Sequence, residues 1–254
     1  MERKKISKIE ISKKDLENLQ DFKFESIKKN NNEYLNLVIK KPWGYEYILF
    51  QNHKIAIWLL HISKGHSTSM HCHPNKKTSL LLLSGEGICT TLNQQTHLTE
   101  KEGIIIEKGV FHKTEALSEG GVYLIEIETP IDKEDLFRLK DNYAREKESY
   151  TKENNITREL NKYKYQFIED EVGEQILFKT NLLKIADYSE IEVLDEDLKR
   201  GSPGVGAILS GKIRTKEGEI SVGDIFHTKK INLLEIPQKT RILFLERISK
   251  EQND

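Results

Sequence analysis

Gly65-His66-Ser67-Thr68-Ser69-Met70-His71-Cys72-His73, then Leu80-Leu81-Leu82-Leu83-Ser84-Gly85, then Gly109-Val110-Phe111-His112 is the run of sequence on which the reading of the fold turns. The first two pieces make the frame G-x5-H-x-H-x11-G. His71 and His73 are two residues apart, so on an extended strand both rings project from one face. His112 follows the apolar run Ile104-Ile105-Ile106 and a glycine turn, which reads as strand, turn and a ligand at the start of the next strand. A lone histidine is usually an ordinary surface or core residue. Three in one glycine frame, beside a strand as apolar as Leu80 to Leu83, point instead to a metal held by His71, His73 and His112. Cys72 lies between two ligands and should face the other way, as packing. Imidazole nitrogen suits Zn, Fe, Ni and Cu, and Mn when carboxylate and water complete the shell. The expected cofactor is therefore a divalent metal ion, with Zn, Mn, Fe and Ni not distinguished.

Outward from this frame the chain is β-rich. Ile55-Ala56-Ile57-Trp58-Leu59-Leu60-His61-Ile62 and Val122-Tyr123-Leu124-Ile125-Glu126-Ile127-Glu128 are short β-type runs separated by glycine turns, the pattern of an all-β barrel over 41-132. Residues 1-40 are lysine-rich and weakly patterned, and read as an N-terminal arm, loose or helical, that leads into a strand. From 133 to 164 the chain is strongly charged and free of glycine and proline, which predicts a helical linker. Residues 165-250 return to β character. There Ser84-Gly85 can be laid on Ser210-Gly211, and the 27-residue step from Gly85 to His112 reaches Gln238 from Gly211. The same alignment puts Asp197 and Lys199 where His71 and His73 stand. This predicts a degenerate second barrel without histidine ligands.

Composition bounds the partners. With 254 residues, a net charge of -1 and 32% charged residues, the chain has no bulk attraction to nucleic acid or to an anionic membrane. No apolar run has the length of a membrane span, and Met1-Glu2-Arg3-Lys4-Lys5 is not followed by a signal-peptide core, so the expected location is cytoplasmic. Cys72 and Cys89 read as reduced thiols. Exposed sheet edges favour pairing of two copies, a homodimer.

Residues 65 to 112 resemble the two motifs of the cupin superfamily, G-x5-H-x-H-x3-4-E-x6-G and a later proline-bearing histidine motif. Here Thr78 stands at the carboxylate position and Glu107 at the proline position. A narrower resemblance flanks the barrel. Lys41-Pro42-Trp43-Gly44-Tyr45-Glu46 is similar, one residue shorter, to the R-P-W-G-x-Y-E entry of the type II phosphomannose isomerase domain, the barrel that often follows a mannose-1-phosphate guanylyltransferase domain. Glu134-Asp135-Leu136-Phe137-Arg138-Leu139-Lys140-Asp141-Asn142-Tyr143-Ala144-Arg145 is similar to that family's E-D-D-I-V-R-x-E-D-x-Y-G-R tail. The resemblance covers about residues 41 to 145 and implies a cupin jelly-roll barrel, a metal and a sugar-phosphate isomerase. The glycine-rich nucleotide loop of a guanylyltransferase is not found.

A phosphosugar isomerase moves a proton between adjacent carbons while a metal polarises the two oxygens. Glu126 and Glu128 lie two apart on one strand, and Glu126 is the preferred candidate for a catalytic base or for a replacement carboxylate ligand. Lys76, Lys77 and Thr78 follow the metal motif and are candidates for binding the substrate phosphate, against a plain solvated loop. His66 is a further candidate pocket residue, and Trp43 is expected to pack. The leading expectation is a metal-dependent phosphosugar isomerase or epimerase-like cupin acting on a sugar phosphate or nucleotide sugar of surface-polysaccharide metabolism. The alternatives are a non-catalytic sugar-binding or regulatory cupin and an iron-dependent oxygenase.

Overall fold

The computed structural model of the protein describes residues 6–20, 34–140, 155–202 and 204–247. The chain divides into two units, Met1–Leu49 with Ala56–Phe167 and Phe50–Ile55 with Ile168–Asp254. In the first unit the strands are β1 (Ile6–Ile9), β2 (Val38–Lys41), β3 (Gly44–Gln51), β4 (Ala56–Ile62), β5 (Met70–Cys72), β6 (Lys77–Ser84), β7 (Gly87–Thr91), β8 (Gln95–Leu98), β9 (Gly103–Ile106), β10 (His112–Ala116), β11 (Val122–Thr129), β12 (Phe137–Lys140) and β13 (Ile156–Thr157), with helix α1 (Lys13–Leu19) after β1. They form two sheets, ordered β1-β9-β6-β11-β4-β3-β2-β13 and β12-β5-β10-β7-β8.

Strand parity builds the interior. Trp58, Leu60 and Ile62 of β4, Leu80 and Leu82 of β6, and Val122 and Leu124 of β11 turn to one side. There they meet Cys89 of β7, Leu98 of β8 and Ala116 of β10, so side chains from both sheets fill a single core. This is the two-sheet jelly roll expected of residues 41-132. Trp43 packs in that core as well. Ile57, Leu59, Ile125 and Ile127, of opposite parity, are also buried, which is why these strands read as continuous apolar runs.

The N-terminal arm is part of the unit. β1 runs parallel to β9, with Ile6 opposite Gly103 and Ile9 opposite Ile106. Ser12 caps α1 in a capping box with Asp15. Residues 1–5 and 21–33 of the expected arm lie outside the described residues.

The segment 133-164, expected to be a helical linker, differs. Its described parts hold β12, β13 and one turn of 3-10 helix at Leu160–Tyr163, while 141–154 lie outside the described residues. β12 pairs with β5, Phe137 opposite Cys72 and Arg138 opposite His71. A row of unpaired backbone groups on β5 outweighs the modest helix preference of a charged sequence.

In the second unit the elements are β14 (Gln175–Phe178), β15 (Asn181–Tyr188), α2 (Ile191–Arg200), β16 (Val205–Ser210), β17 (Lys212–Thr215), β18 (Gly218–Ser221), β19 (Ile225–His227), β20 (Leu233–Glu235) and β21 (Thr240–Arg247). The order β14-β15-β21-β16-β19 repeats β3-β4-β11-β6-β9, and β18-β17-β20 repeats β8-β7-β10. Gly85 and Gly211 leave equivalent strands in the same left-handed turn, φ 95° and 81°. Beyond that point the equal spacing drawn from the sequence does not hold. The strand equivalent to β10 is β20, and Gln238 lies between β20 and β21. Among the described residues no strand corresponds to β5. The chain between β15 and β16 instead forms α2, where Asp197 and Lys199 lie, and Leu194 and Leu198 pack with Ile208, Phe226 and Phe244. The second unit has thus replaced the ligand-bearing strand by an amphipathic helix. Among the described residues, no helix is long and apolar enough to cross a membrane.

Leu124 anchors the first core from its central strand. Leu124→Ala is expected to lower unfolding free energy by about 2–5 kcal/mol, measured by urea denaturation. An unchanged midpoint would contradict the described packing.

Candidate metal centre

β5 and β10 present the three histidines from neighbouring positions, since His112 is the cross-strand partner of His71. The ring centres are 4.5 Å apart for His71 and His112, 5.0 Å for His71 and His73, and 5.5 Å for His73 and His112. Each Nδ1 faces a backbone carbonyl: Ser69 at 2.8 Å for His71, Asp135 at 2.6 Å for His73, and Val110 at 3.0 Å for His112. A carbonyl only accepts, so each Nδ1 carries a hydrogen, which in the neutral ring leaves Nε2 as the nitrogen able to bind a metal.

Glu126 completes the group. It continues the inward parity of Val122 and Leu124 on β11, and one carboxylate oxygen stands 3.5 Å from Nε2 of His73. One donor atom from each of His71, His73, His112 and Glu126 lies within 4.8 Å of every other, and all four residues are buried. A cation bound between this nitrogen and the carboxylate would satisfy both. The separation also matches the edge of about 3.4 Å in a tetrahedron with bonds of about 2.1 Å. Nε2 of His73 accordingly has no hydrogen-bond partner in the protein. The residues therefore fit a divalent metal, with Glu126 supplying from β11 the carboxylate that the cupin motif would place at Thr78.

The electrostatics agree. Burial, followed by the neighbouring His112 and His73 rings, pushes His71 well below the usual imidazole range. Burial and the His73 ring lower His112 to about 4. Both rings stay neutral and available as ligands at neutral pH. Burial disfavours the Glu126 carboxylate, but the His73 ring and the Lys133 and Lys76 ammonium groups outweigh it and hold the acid ionised, below its ordinary range.

Beneath the four donors lies a buried set of charges. Lys76 Nζ donates to Glu128 Oε1 and to the Asp132 carbonyl, both at 2.9 Å. Lys133 Nζ donates to the same Glu128 oxygen at 3.2 Å and stands 3.8 Å from the centre of the Trp58 ring. Burial opposes both charges of this pair. Lys133 and Lys76 nevertheless hold Glu128 ionised below its usual range, and Glu128, then Glu46, raise Lys133. Lys76, Glu128 and Lys133 share a small cavity of about 50 Å³ with His71, His73 and Glu126, lined also by Lys41, Trp43, Glu46 and Arg138.

The structure gives the expected phosphate candidates other surroundings. Lys76 is turned inward and engaged by Glu128, whereas Lys77 and Thr78 are absent from the cavity lining. Lys77 has the opposite strand parity to Thr78, and Thr78 is buried with its hydroxyl unpaired. His66 remains exposed, its Nδ1 on the Lys64 carbonyl. Cys72 is buried and is not among the donors, in keeping with packing.

Two residues whose roles were not read from the sequence organise the centre. Lys133 joins Glu128, which the sequence offered beside Glu126, in the charge set, and Asp135 has two tasks. Its carbonyl orients His73, while its carboxylate accepts from the backbone N–H groups of Asn75 and Lys76, at 2.9 and 3.0 Å, and from the Asn75 amide at 2.9 Å. The one sequence signal for Asp135 and Lys133 was their place in or beside the resemblance to the phosphomannose isomerase tail.

A two-sheet jelly roll with three inward histidines and one inward glutamate has a site able to hold a divalent metal. Over part of its length the chain is similar to a mannose-1-phosphate guanylyltransferase of Klebsiella pneumoniae, 28% identical over 109 residues, or 42% of this chain and 23% of that relative. The chain thus spans less than a quarter of the length of that curated relative. No family model matches. Solved structures that match part of the chain include KdgF from Halomonas sp. (TM-score 0.34, 13% identity, covering 36% of this chain and 83% of the other). A putative sugar phosphate isomerase from Acidithiobacillus ferrooxidans has a TM-score of 0.29 and 20% identity, covering 31% of this chain and 51% of the other. A protein with a double-stranded β-helix domain from Klebsiella pneumoniae has a TM-score of 0.33 and 18% identity, covering 42% and 91% respectively.

Two outcomes follow from the buried charges. Lys133→Met leaves Glu128 with one ammonium partner in place of two and should cost about 3–5 kcal/mol of stability, read by urea denaturation. His112 has a folded value of about 4 against 6.5 for the free side chain. Between these values the unfolded chain binds the extra proton and the native one does not, so metal-free protein should lose stability as pH falls from 6.5 toward 4. Thermal midpoints across that window test this, and His112→Gln should flatten the slope.

Proposed function

We propose that the first unit is a metal-dependent isomerase or epimerase-like cupin that acts on a sugar phosphate or nucleotide sugar. The observation that carries this reading is the convergence of three imidazoles and one ionised carboxylate beside a cavity that is also lined by Glu128, Lys76 and Lys133. His71, His73, His112 and Glu126 would hold a divalent ion, and the chemistry it would supply there is Lewis-acid polarisation of adjacent carbonyl and hydroxyl oxygens. In this reading Glu126 serves as the replacement ligand and not as the base. Proton transfer falls to Glu128, whose Oε2 has no hydrogen-bond partner while Oε1 is held by both lysines. The fixed Oε1 orients the carboxylate, and the apolar walls of Trp43 and Leu60 exclude water from the exchanging proton. Lys41 also lines the cavity but is paired with the buried Glu46 at 3.4 Å, and Arg138 adds a cationic group that suits an anionic substrate.

The name of the Klebsiella relative directs attention to mannose phosphates, and this chain's likeness to it supports testing them first. A panel of aldose and ketose phosphates, with nucleotide sugars beside them, would be assayed on metal-loaded protein. Parent protein should interconvert at least one pair. Glu128→Gln should keep its metal and lose on the order of 100-fold or more in turnover, while Glu126→Gln should lose metal first. Metal-loaded, folded protein that binds a sugar phosphate without converting it would favour the binding or regulatory reading instead. Oxygen consumption with ferrous iron would favour the oxygenase.

A further inference from the structure

The turn that carries His112 is held from outside the barrel. Residues 107–111 lead from β9 into β10, and their backbone groups reach three partners. Glu107 N–H donates to the Ile9 carbonyl at 3.1 Å, Phe111 N–H donates to Asp15 Oδ1 at 3.0 Å, and Gly109 N–H donates to the His73 carbonyl at 2.8 Å. Two of the three belong to the β1-α1 segment, which precedes the region of cupin resemblance altogether.

Asp15 has the chemistry of a dedicated brace. It is a buried carboxylate on the first turn of a short surface helix, where a solvated acid is the usual occupant. One oxygen takes Ser12 N–H at 2.9 Å and the Ser12 hydroxyl at 2.6 Å, which fixes the side chain in its capping box. That leaves the other oxygen aimed at the N–H of Phe111, the residue immediately before the ligand. The same turn provides the Val110 carbonyl that orients the His112 ring. Gly109, in the left-handed region at φ 77°, is covered by this segment: a Cβ there would meet Ile11 Cδ1 at 2.8 Å and Leu19 Cδ1 at 3.1 Å. The helix thus sits directly on the glycine step of the second histidine motif. It holds both the backbone before the ligand and the carbonyl that sets its tautomer.

We propose that Asp15 is a positioning residue for the metal centre, acting through Phe111 N–H to hold the His112 turn so that its imidazole stays aligned with His71, His73 and Glu126. This rests on the metal reading of the site. It makes the N-terminal segment part of the centre's support, in the same manner as Asp135, which steadies the His73 side through the Asn75 and Lys76 amides. Partners of this kind, one step removed from the ligand, typically alter metal affinity roughly 10- to 100-fold when removed.

The test is cobalt(II) affinity by chelator competition, together with the visible spectrum of the bound ion, on full-length parent, Asp15→Ala, Asp15→Asn and the surface control Lys13→Ala. Asp15→Ala should bind at least about tenfold more weakly and shift the cobalt bands. Asp15→Asn keeps one acceptor for Phe111 but loses the second carboxylate oxygen for Ser12, so it should fall between parent and alanine. Lys13→Ala should match the parent. Should the alanine variant not fold, Asp15→Asn decides. Weaker cobalt binding with shifted bands supports the inference, and parent-like affinity and spectrum overturn it, even if metal-free stability has fallen. Cobalt bound by the parent and equally by the Asp15 variants overturns the brace alone, whereas no cobalt in the parent overturns the metal reading and the brace with it.

Discussion

Everything around the first site depends on one constraint: three buried imidazoles give their Nδ1 hydrogens to backbone carbonyls and gather beside one buried carboxylate. The surrounding structure keeps this arrangement from relaxing. His71 and His112 are locked by cross-strand pairing, His73 by the Asp135 carbonyl, and the loops on either side by the Asp135 and Asp15 carboxylates. The buried lysines sit one layer further in and neutralise Glu128 while helping to keep Glu126 ionised.

Much of this was legible in the residues. The two-residue spacing of His71 and His73 fixed their common face, the glycine step before His112 marked its turn, and the short apolar runs implied a two-sheet barrel. The orientation of Glu126 was not legible, and the reason is physical. β11 alternates Val122, Leu124, Glu126, Glu128 against Tyr123, Ile125, Ile127, and both faces of that strand are buried. With apolar residues on each side, alternation alone gives no direction, and only the packing of Val122 and Leu124 against Cys89 and Ala116 shows which face is inside. Lys76 and Lys133 were hidden for another reason. A lysine in a charged stretch is usually solvated, and these two are buried because they share one oxygen of Glu128, more than fifty residues from Lys76 in sequence. Segment 133-164 misled in the same way. Its composition suits a helix, but β5 offers an edge to pair with, and Asp135 and β12 close over the histidines.

The second unit carries the same strand order around a different interior. Its eight strands repeat those of the first in sequence and in pairing, but α2 takes the place of β5. Removing that strand removes the platform for a histidine pair, and the interior is closed by Phe226, Phe244 and Ile213 together with Leu194 and Leu198. The 27-residue offset failed here because the connections between strands differ in length while their order does not. Strand order carried the relation between the units further than residue spacing did.

The most direct measurement of the central claim is X-ray absorption at the metal edge of zinc-loaded protein, compared with His112→Ala. The account predicts a nitrogen and oxygen shell with the outer scattering of three imidazoles, reduced to two in the variant. A metal without imidazole scattering, or a spectrum unchanged in His112→Ala, would contradict it.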